Sequence, residues 1–406
     1  MRTERPFGEW SAMTYNFDEP AQRRGTDCFK YDAMRMARGR DDLIPLWIAD
    51  MDFKLPASIL DPLHDMVDRA AFGYTFPSDR YFAAVQGWFA NRFSWETKKR
   101  WIVRTPGVVF AVALALQTYT RPGDAVLIQQ PVYYPFAKLI ARNGRALVNN
   151  ELVYEHGSYR IDFADFERQI VEHDVKLFIL CSPHNPVGRV WTEGELARMG
   201  EICRAHDVLV VADEIHADFV YSGHTHRVFA SVDEDFARHC LVCTAPSKTF
   251  NLAGLQGSNI FIPDPDLRKA YVDALGRLGD LSVNMMAMAA TTAAYETGGP
   301  WVDELVNYLA GNVDAVRAGL ARVPGVDLVE PEGTYLMWLD CTGLAERLGD
   351  TPLDTFMVND ARLWMNAGTK FGGARGGNFE RMNIATQRDT VEKALGQLAT
   401  AVARGA

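Results

Sequence analysis

Val208-Leu209-Val210-Val211-Ala212-Asp213-Glu214-Ile215-His216 is the stretch on which the reading of the fold turns. Its first five residues are apolar without alternation. A half-buried strand alternates, so a continuous run of this length points to a strand covered on both faces, as in a sheet sandwiched between helices. The run stops at two carboxylates. Asp213 then stands at the carboxyl end of a buried strand, the place outside which open α/β sheets bind their ligands. A carboxylate buried there needs a cationic partner. The plainer reading of Asp213 is a helix N-cap, for which aspartate is well suited.

The same texture recurs outward from this stretch, at Ala125–Gln129, Lys176–Cys181, Cys240–Thr244 and Asn259–Ile262. Helical patterns lie between several of these runs. Thr192-Glu193-Gly194-Glu195 has the capping-box form, and Leu196, Met199, Ile202 and Cys203 follow at helical spacing. Phe110–Leu116 reads as a helix that begins near Gly107, leaving the amides of Val108 and Val109 free. Strands alternating with helices predict an α/β domain with a largely parallel sheet. The last third changes character. Ala287–Ala294 and Trp301–Arg322 read as helices broken at Gly298-Gly299-Pro300, and Val323–Asp327 is a turn leading into strand-like Leu328-Val329. The expected division is an N-terminal segment, residues 1–51, that joins a smaller α+β domain at 293–406, with a large domain at 52–292 between them.

Composition removes several classes. The 42 basic and 52 acidic residues give a net charge of -10, opposite to the basic surface of a nucleic-acid binder. No apolar stretch reaches the roughly 18 residues of a membrane-spanning helix, and Met1–Trp10 lacks the apolar core of a secretory signal. Six cysteines are too few for a disulfide scaffold of this length. Cys240 and Cys243 have C-x-x-C spacing, but no second pair follows at zinc-site spacing, so they read as thiols of a buried strand and no metal is expected. A reduced, cytoplasmic, soluble protein is the expectation.

Three segments after strand-like runs carry the chemistry. Cys181-Ser182-Pro183-His184-Asn185-Pro186-Val187-Gly188 is a stiff turn that presents Asn185. Asp213 ends the run that opened this section. Lys248 lies in Ala245-Pro246-Ser247-Lys248-Thr249-Phe250-Asn251. Taken singly, each has an ordinary reading: a loop asparagine, a helix cap, a surface lysine. Taken together, an asparagine, an aspartate and a lysine at three strand ends suit pyridoxal phosphate. Lysine can bond its aldehyde, aspartate can keep its pyridine nitrogen protonated, and an asparagine amide can donate to its phenolate oxygen.

The ordered series Asn185-Pro-x-Gly, Asp213-Glu and Ser247-Lys248 resembles the class I/II aminotransferase superfamily of fold-type I pyridoxal-phosphate enzymes. Leu46-Trp47-Ile48-Ala49-Asp50-Met51-Asp52-Phe53 and Asp213-Glu214-Ile215-His216-Ala217-Asp218 resemble its cystathionine β-lyase (MalY/PatB-type) branch most. The resemblance covers nearly the whole chain. It implies a mostly parallel seven-stranded sheet covered by helices, with a smaller α+β domain. It also implies a site for pyridoxal 5'-phosphate. There Lys248, Asp213 and Tyr133 are the catalytic groups, with Tyr133 stacked on the cofactor ring. Asn185 and His216 line that site, while Gly107, Val108, Val109 and Ser247 form the phosphate end, with Thr244 a weaker candidate. Tyr74, in Phe72-Gly73-Tyr74-Thr75, matches a tyrosine that in relatives crosses a dimer interface, which implies a homodimer with shared sites. Arg381, in Arg381-Met382-Asn383, matches the arginine that holds the substrate carboxylate, with Arg375 and Arg388 as rivals nearby. Trp47 and Asn185 complete the expected substrate contacts.

The sequence also departs from the superfamily pattern. His216, Ala245 and Gln256 stand where aminotransferases often carry tyrosine, serine and arginine. The first two suit the lyase branch. Lys370 and Arg375, in Gly368-Thr369-Lys370-Phe371-Gly372-Gly373-Ala374-Arg375, are basic residues the pattern does not call for. The resemblance implies α,β-elimination on L-cystathionine or another cysteine S-conjugate, a small amino-acid substrate. Lys248 would take the Cα proton, a thiolate would leave from Cβ, and the remainder would hydrolyse to pyruvate and ammonia. The alternative is an aminotransferase that uses the same residues and a 2-oxo acid.

Overall fold

The computed structural model describes residues 14–279 and 283–405. Residues 1–13, which contain the stretch read for a secretory signal and the start of the N-terminal segment, lie outside them. Seven strands form the large sheet: β1 (Ile102–Thr105), β2 (Ala125–Ile128), β3 (Ala146–Asn149), β4 (Val175–Cys181), β5 (Leu209–Asp213), β6 (Cys240–Thr244) and β7 (Ser258–Phe261). Their order across the sheet is β1-β7-β6-β5-β4-β2-β3. Only β7 runs against its neighbours; the other pairings are parallel.

The continuous apolar run around position 210 has a direct physical cause. Val210 and Ala212 of β5 pack into one core cluster, with Phe178, Leu180 and Val242 of the adjoining strands. Val211, pointing the other way, packs into a second cluster with Ile179, Leu241 and Cys243. Both faces of the strand are therefore buried, and neither tolerates a polar residue. Cys240 and Cys243 belong to the same scheme, as buried thiols of β6 on opposite faces of the sheet.

The covering helices follow the sequence signals. Val108–Tyr119 (α1) starts at Gly107, whose φ of +142° is open to glycine and strained for other residues. Glu193–Ala205 (α2) has both capping-box hydrogen bonds: Glu195 N donates to Thr192 Oγ1, and Thr192 N donates to Glu195 Oε2. Removing the Thr192 hydroxyl would cost about 1 kcal/mol. Met285–Thr297 (α3) gives way to Gly299–Leu320 (α4) at Gly298, where a Cβ would collide with Phe250. No helix among the described residues is long and apolar enough to cross a membrane.

A second sheet is antiparallel and smaller. It comprises β8 (Asp327–Val329), β9 (Leu336–Asp340), β10 (Asn366–Ala367) and β11 (Phe379–Asn383), in the order β8-β9-β11-β10. The N-terminal segment joins this part of the chain: Ile44–Pro45 pairs in parallel with Leu363–Trp364, and Asn383 N donates to Leu46 O at 2.8 Å. The chain then crosses to the large sheet, where the Asn251 side chain clamps Met51. Met51 N donates to Asn251 Oδ1 at 3.0 Å, and Asn251 Nδ2 donates to Met51 O at 2.7 Å. Residues 47–52 are thereby stretched between the two sheets.

Candidate active site

Strands β4, β5 and β6 are adjacent and parallel, so their carboxyl ends lie side by side. Asn185, Asp213 and Lys248 follow these three ends, and all three line one cavity of ≈ 210 Å³. β1 runs in the same direction as β6, because both oppose β7. Its carboxyl end therefore delivers Gly107, Val108 and Val109 to the same cavity, and the turn after β2 delivers Tyr133. His216 and Ser247 line it as well.

The electrostatics of these groups are set by burial. Lys248 is half-buried in the lining of the cavity, and desolvation there pulls its ammonium down to about 8 from the ordinary 10.5. Its Nζ donates to the carbonyl of Ala49 at 2.6 Å. Asp213 is pushed up from 3.8 to about 7, because burial disfavours its charge more than Lys248 favours it. The carboxylate's one hydrogen bond among the described residues comes from Ile215 N, at 3.2 Å. The N-cap reading therefore fails: a turn, not a helix, follows the strand. Burial also drives the His216 imidazole well below 6.5, and its Nδ1 has no partner among the described residues.

Arg381 is buried beside the cavity and held from two directions. Its Nη1 donates to Asn185 Oδ1 at 2.9 Å and its Nη2 to the Trp47 carbonyl at 2.7 Å. Its Nε is buried without a partner among the described residues. Burial, which disfavours its charge, pulls the pKa of its guanidinium down to about 10 from 12.5. Because Asn185 Oδ1 is engaged by Arg381, the Asn185 amide N–H groups are the end left for a ligand.

Several expected residues sit elsewhere. The Trp47 indole is stacked on Trp364 at 4.3 Å and donates to Lys30 O at 3.3 Å; it does not line the cavity, and its carbonyl is what reaches Arg381. Thr244 is turned into the sheet, donating to Asn259 O at 2.8 Å. Arg388 packs on Tyr308 and Asn312, and Arg375 is exposed, so neither rivals Arg381. Tyr74 is fully exposed and outside the cavity of its own chain.

Sequence reasoning missed the Ala49 carbonyl and Tyr335, whose hydroxyl donates to that same oxygen at 3.3 Å. It also missed Asn366, whose Nδ2 donates to Trp47 O. The Trp47–Phe53 string did hold a signal, but one carried by backbone carbonyls, which residue types do not reveal.

The family model described as Aminotransferase class I and II matches residues 64–398. The chain belongs to this family. It is 42% identical to the cystathionine β-lyase PatB of Bacillus subtilis (strain 168), over 95% of this chain and all of the relative. It is 31% identical to the protein MalY of Escherichia coli (strain K12), over 96% and 99% of the two chains. Among solved structures, cystalysin of Treponema denticola, which contains a pyridoxal 5'-phosphate cofactor, superimposes with a TM-score of 0.91 at 34% identity, covering 96% and 99% of the two chains. The fold is thus the fold-type I arrangement, and within the family the chain is similar to cystathionine β-lyases.

Proposed function

We infer that the chain is a pyridoxal-phosphate-dependent carbon–sulfur β-lyase, cleaving L-cystathionine or a related cysteine S-conjugate to a thiol, pyruvate and ammonia. The observation that carries this reading is the convergence of Lys248, Asp213 and Asn185 on one cavity, in a chain so similar to named cystathionine β-lyases.

The residues fit the cofactor. Asp213 is a buried carboxylate that forms no ion pair among the described residues, and a protonated pyridine nitrogen would supply that partner. Asn185 has its amide N–H groups free for a phenolate oxygen. Gly107, Val108 and Val109 open helix α1 with unpaired amides, and the Ser247 hydroxyl lines the same cavity; this is a phosphate cradle. Tyr133 supplies an aromatic face, and His216 an imidazole held neutral. When bound, the cofactor supplies an aldehyde for the substrate amine and an electron sink for charge developing at Cα.

The chain's own groups do the rest. Arg381 takes the substrate carboxylate, with its unpartnered Nε as one available donor. Asn185 links that arginine to the cofactor end, and Trp47 takes part through its carbonyl. Lys248 removes the Cα proton; an ammonium pulled down to about 8 leaves a useful fraction of free amine near neutral pH. The Cβ–S bond breaks and the thiolate leaves. One water then enters overall, since thiol, pyruvate and ammonia together hold one water more than the substrate.

We also propose a homodimer in which one copy's Tyr74 reaches the phosphate end of the other's site. Phe72, Tyr74 and Phe76 are all exposed on one irregular segment of the single chain, which supports a covering partner. The two-domain division at 52–292 and 293–406, with 1–51 joining the latter, and a cytoplasmic location belong to the same reading. Five of the six cysteines are buried free thiols, which suits a reducing compartment.

The test is purified protein with pyridoxal phosphate and L-cystathionine, with no 2-oxo acid present. Pyruvate and free thiol should appear in equal amounts. A reaction that requires a 2-oxo acid would instead support transamination.

A further inference from the structure

The basic loop after β10 has no part in the chemistry above, yet it bears on the arginine that does. Lys370 Nζ donates to Asn366 Oδ1 at 3.0 Å. The same amide's Nδ2 donates to the Trp47 carbonyl, which also receives Arg381 Nη2 at 2.7 Å. Asn366 is buried and lies directly opposite Arg381 in the β10–β11 register. The next loop residue, Phe371, sets its ring 4.9 Å from the Arg381 guanidinium, and its carbonyl is tied to Val132 N at 3.0 Å. Just beyond, Gly372 takes φ +78° against Gln130, where a Cβ would collide. The loop therefore cannot drift from the site without breaking these contacts.

An asparagine amide has one accepting end and one donating end. A lysine ammonium only donates, so it can sit only at the oxygen. Lys370 thus selects the orientation in which the Asn366 amide N–H groups face Trp47. Were the amide reversed, its oxygen would oppose the Trp47 carbonyl, and the oxygen that seats Arg381 would be pushed away.

We propose that Lys370 is a positioning residue for the carboxylate clamp: it locks the Asn366 amide, and through it the Trp47 carbonyl against which Arg381 is set. This rests on the reading of Arg381 as the group that holds the substrate carboxylate. The consequence is selectivity for substrates that carry an α-carboxylate.

The holoenzyme tests this with two probes that have no leaving group, glycine and methylamine, each titrated by the change in the cofactor's visible absorbance. In Lys370→Met, glycine should bind about tenfold or more weakly while methylamine is unchanged, the scale expected for losing one charge-assisted hydrogen bond. With L-cystathionine, KM should rise by the same factor and kcat should fall less than twofold. Lys370→Arg should restore glycine binding, because it also donates only. Equal weakening of both probes, or none, would overturn the proposal. If the unaltered enzyme itself does not prefer glycine to methylamine, the reading of Arg381 fails first. If it does and Lys370→Met keeps the full preference, only the role of Lys370 fails.

Discussion

On one wall of the pocket, Asn185, Asp213 and Lys248 hang directly from three neighbouring parallel strands of a sheet buried on both faces. On the other wall, Arg381 belongs to a small antiparallel sheet and is held by an asparagine from the first wall and by the carbonyl of Trp47, 334 residues away in sequence. The first wall places chemistry by secondary structure. The second places it by contacts between distant segments, chiefly residues 47–52, which are gripped by Asn383 of the small sheet and by Asn251 of the loop after β6. On the proposed reading, the difference separates rate from recognition: the strand-end groups would act on bonds, and the clamped segment would decide which molecule is presented to them.

The largest effect should come from the first wall. Lys248→Ala is expected to lower kcat by at least about 10³-fold with the fold intact, because it removes both the cofactor's anchor and the base. A variant that retained substantial pyruvate production would break the division. Asp213→Asn comes next, with kcat down about 10²-fold or more, since a neutral amide cannot hold a protonated pyridine nitrogen. Cofactor affinity, read by equilibrium dialysis, should fall with it. On the second wall, Arg381→Lys keeps the charge but loses the two-pronged geometry, so kcat/KM should fall about tenfold, mostly through KM. A loss mainly in kcat would show that the second wall takes part in bond breaking, and the comparison would have to be redrawn.

The smallest effect concerns stability. Glu380 precedes Arg381 in β11, is buried with neither carboxylate oxygen partnered among the described residues, and is pushed up to about 8 from 4.5 by burial. Asp213 is pushed up to about 7 from 3.8 in the same direction. Between the ordinary and the raised values the folded chain binds more protons than the unfolded one, so stability falls as pH rises. The cofactor-free protein should therefore melt lower at about pH 8 than at about pH 6. Glu380→Gln should remove part of that loss, and added cofactor should remove the Asp213 part. A melting temperature indifferent to pH over this range would contradict the burial of both groups as free carboxyls.

The same contrast governs what could be read from the sequence. The first wall was legible because strand, turn and functional residue lie within a few positions of one another: a continuous apolar run ending in Asp213, a proline-bounded turn at Asn185, and a small-residue loop at Lys248. The seven-stranded sheet and its direction followed from the resemblance and from runs such as Val208–Ala212, whose alternate residues feed two cores. Arg381 was found only through its match to a family motif. Its seat was not found, because the Trp47 and Ala49 carbonyls carry no residue-type signal and depend on where the segment crosses between sheets. Trp47 is among the expected substrate contacts, but its side chain stacks on Trp364 and only its carbonyl reaches Arg381. Lys370 stood out as unexpected, and the role proposed for it became visible only once Lys370 and Trp47 were seen at the two ends of the Asn366 amide.

The central claim is that Lys248, just after strand β6, is the residue that holds the cofactor. Borohydride reduction of the holoenzyme, followed by peptide mass mapping, tests it directly. The account predicts a single pyridoxyl-modified peptide containing Lys248, absent from Lys248→Ala. Modification at a different lysine, or none on a protein that still produces pyruvate from L-cystathionine, would contradict it.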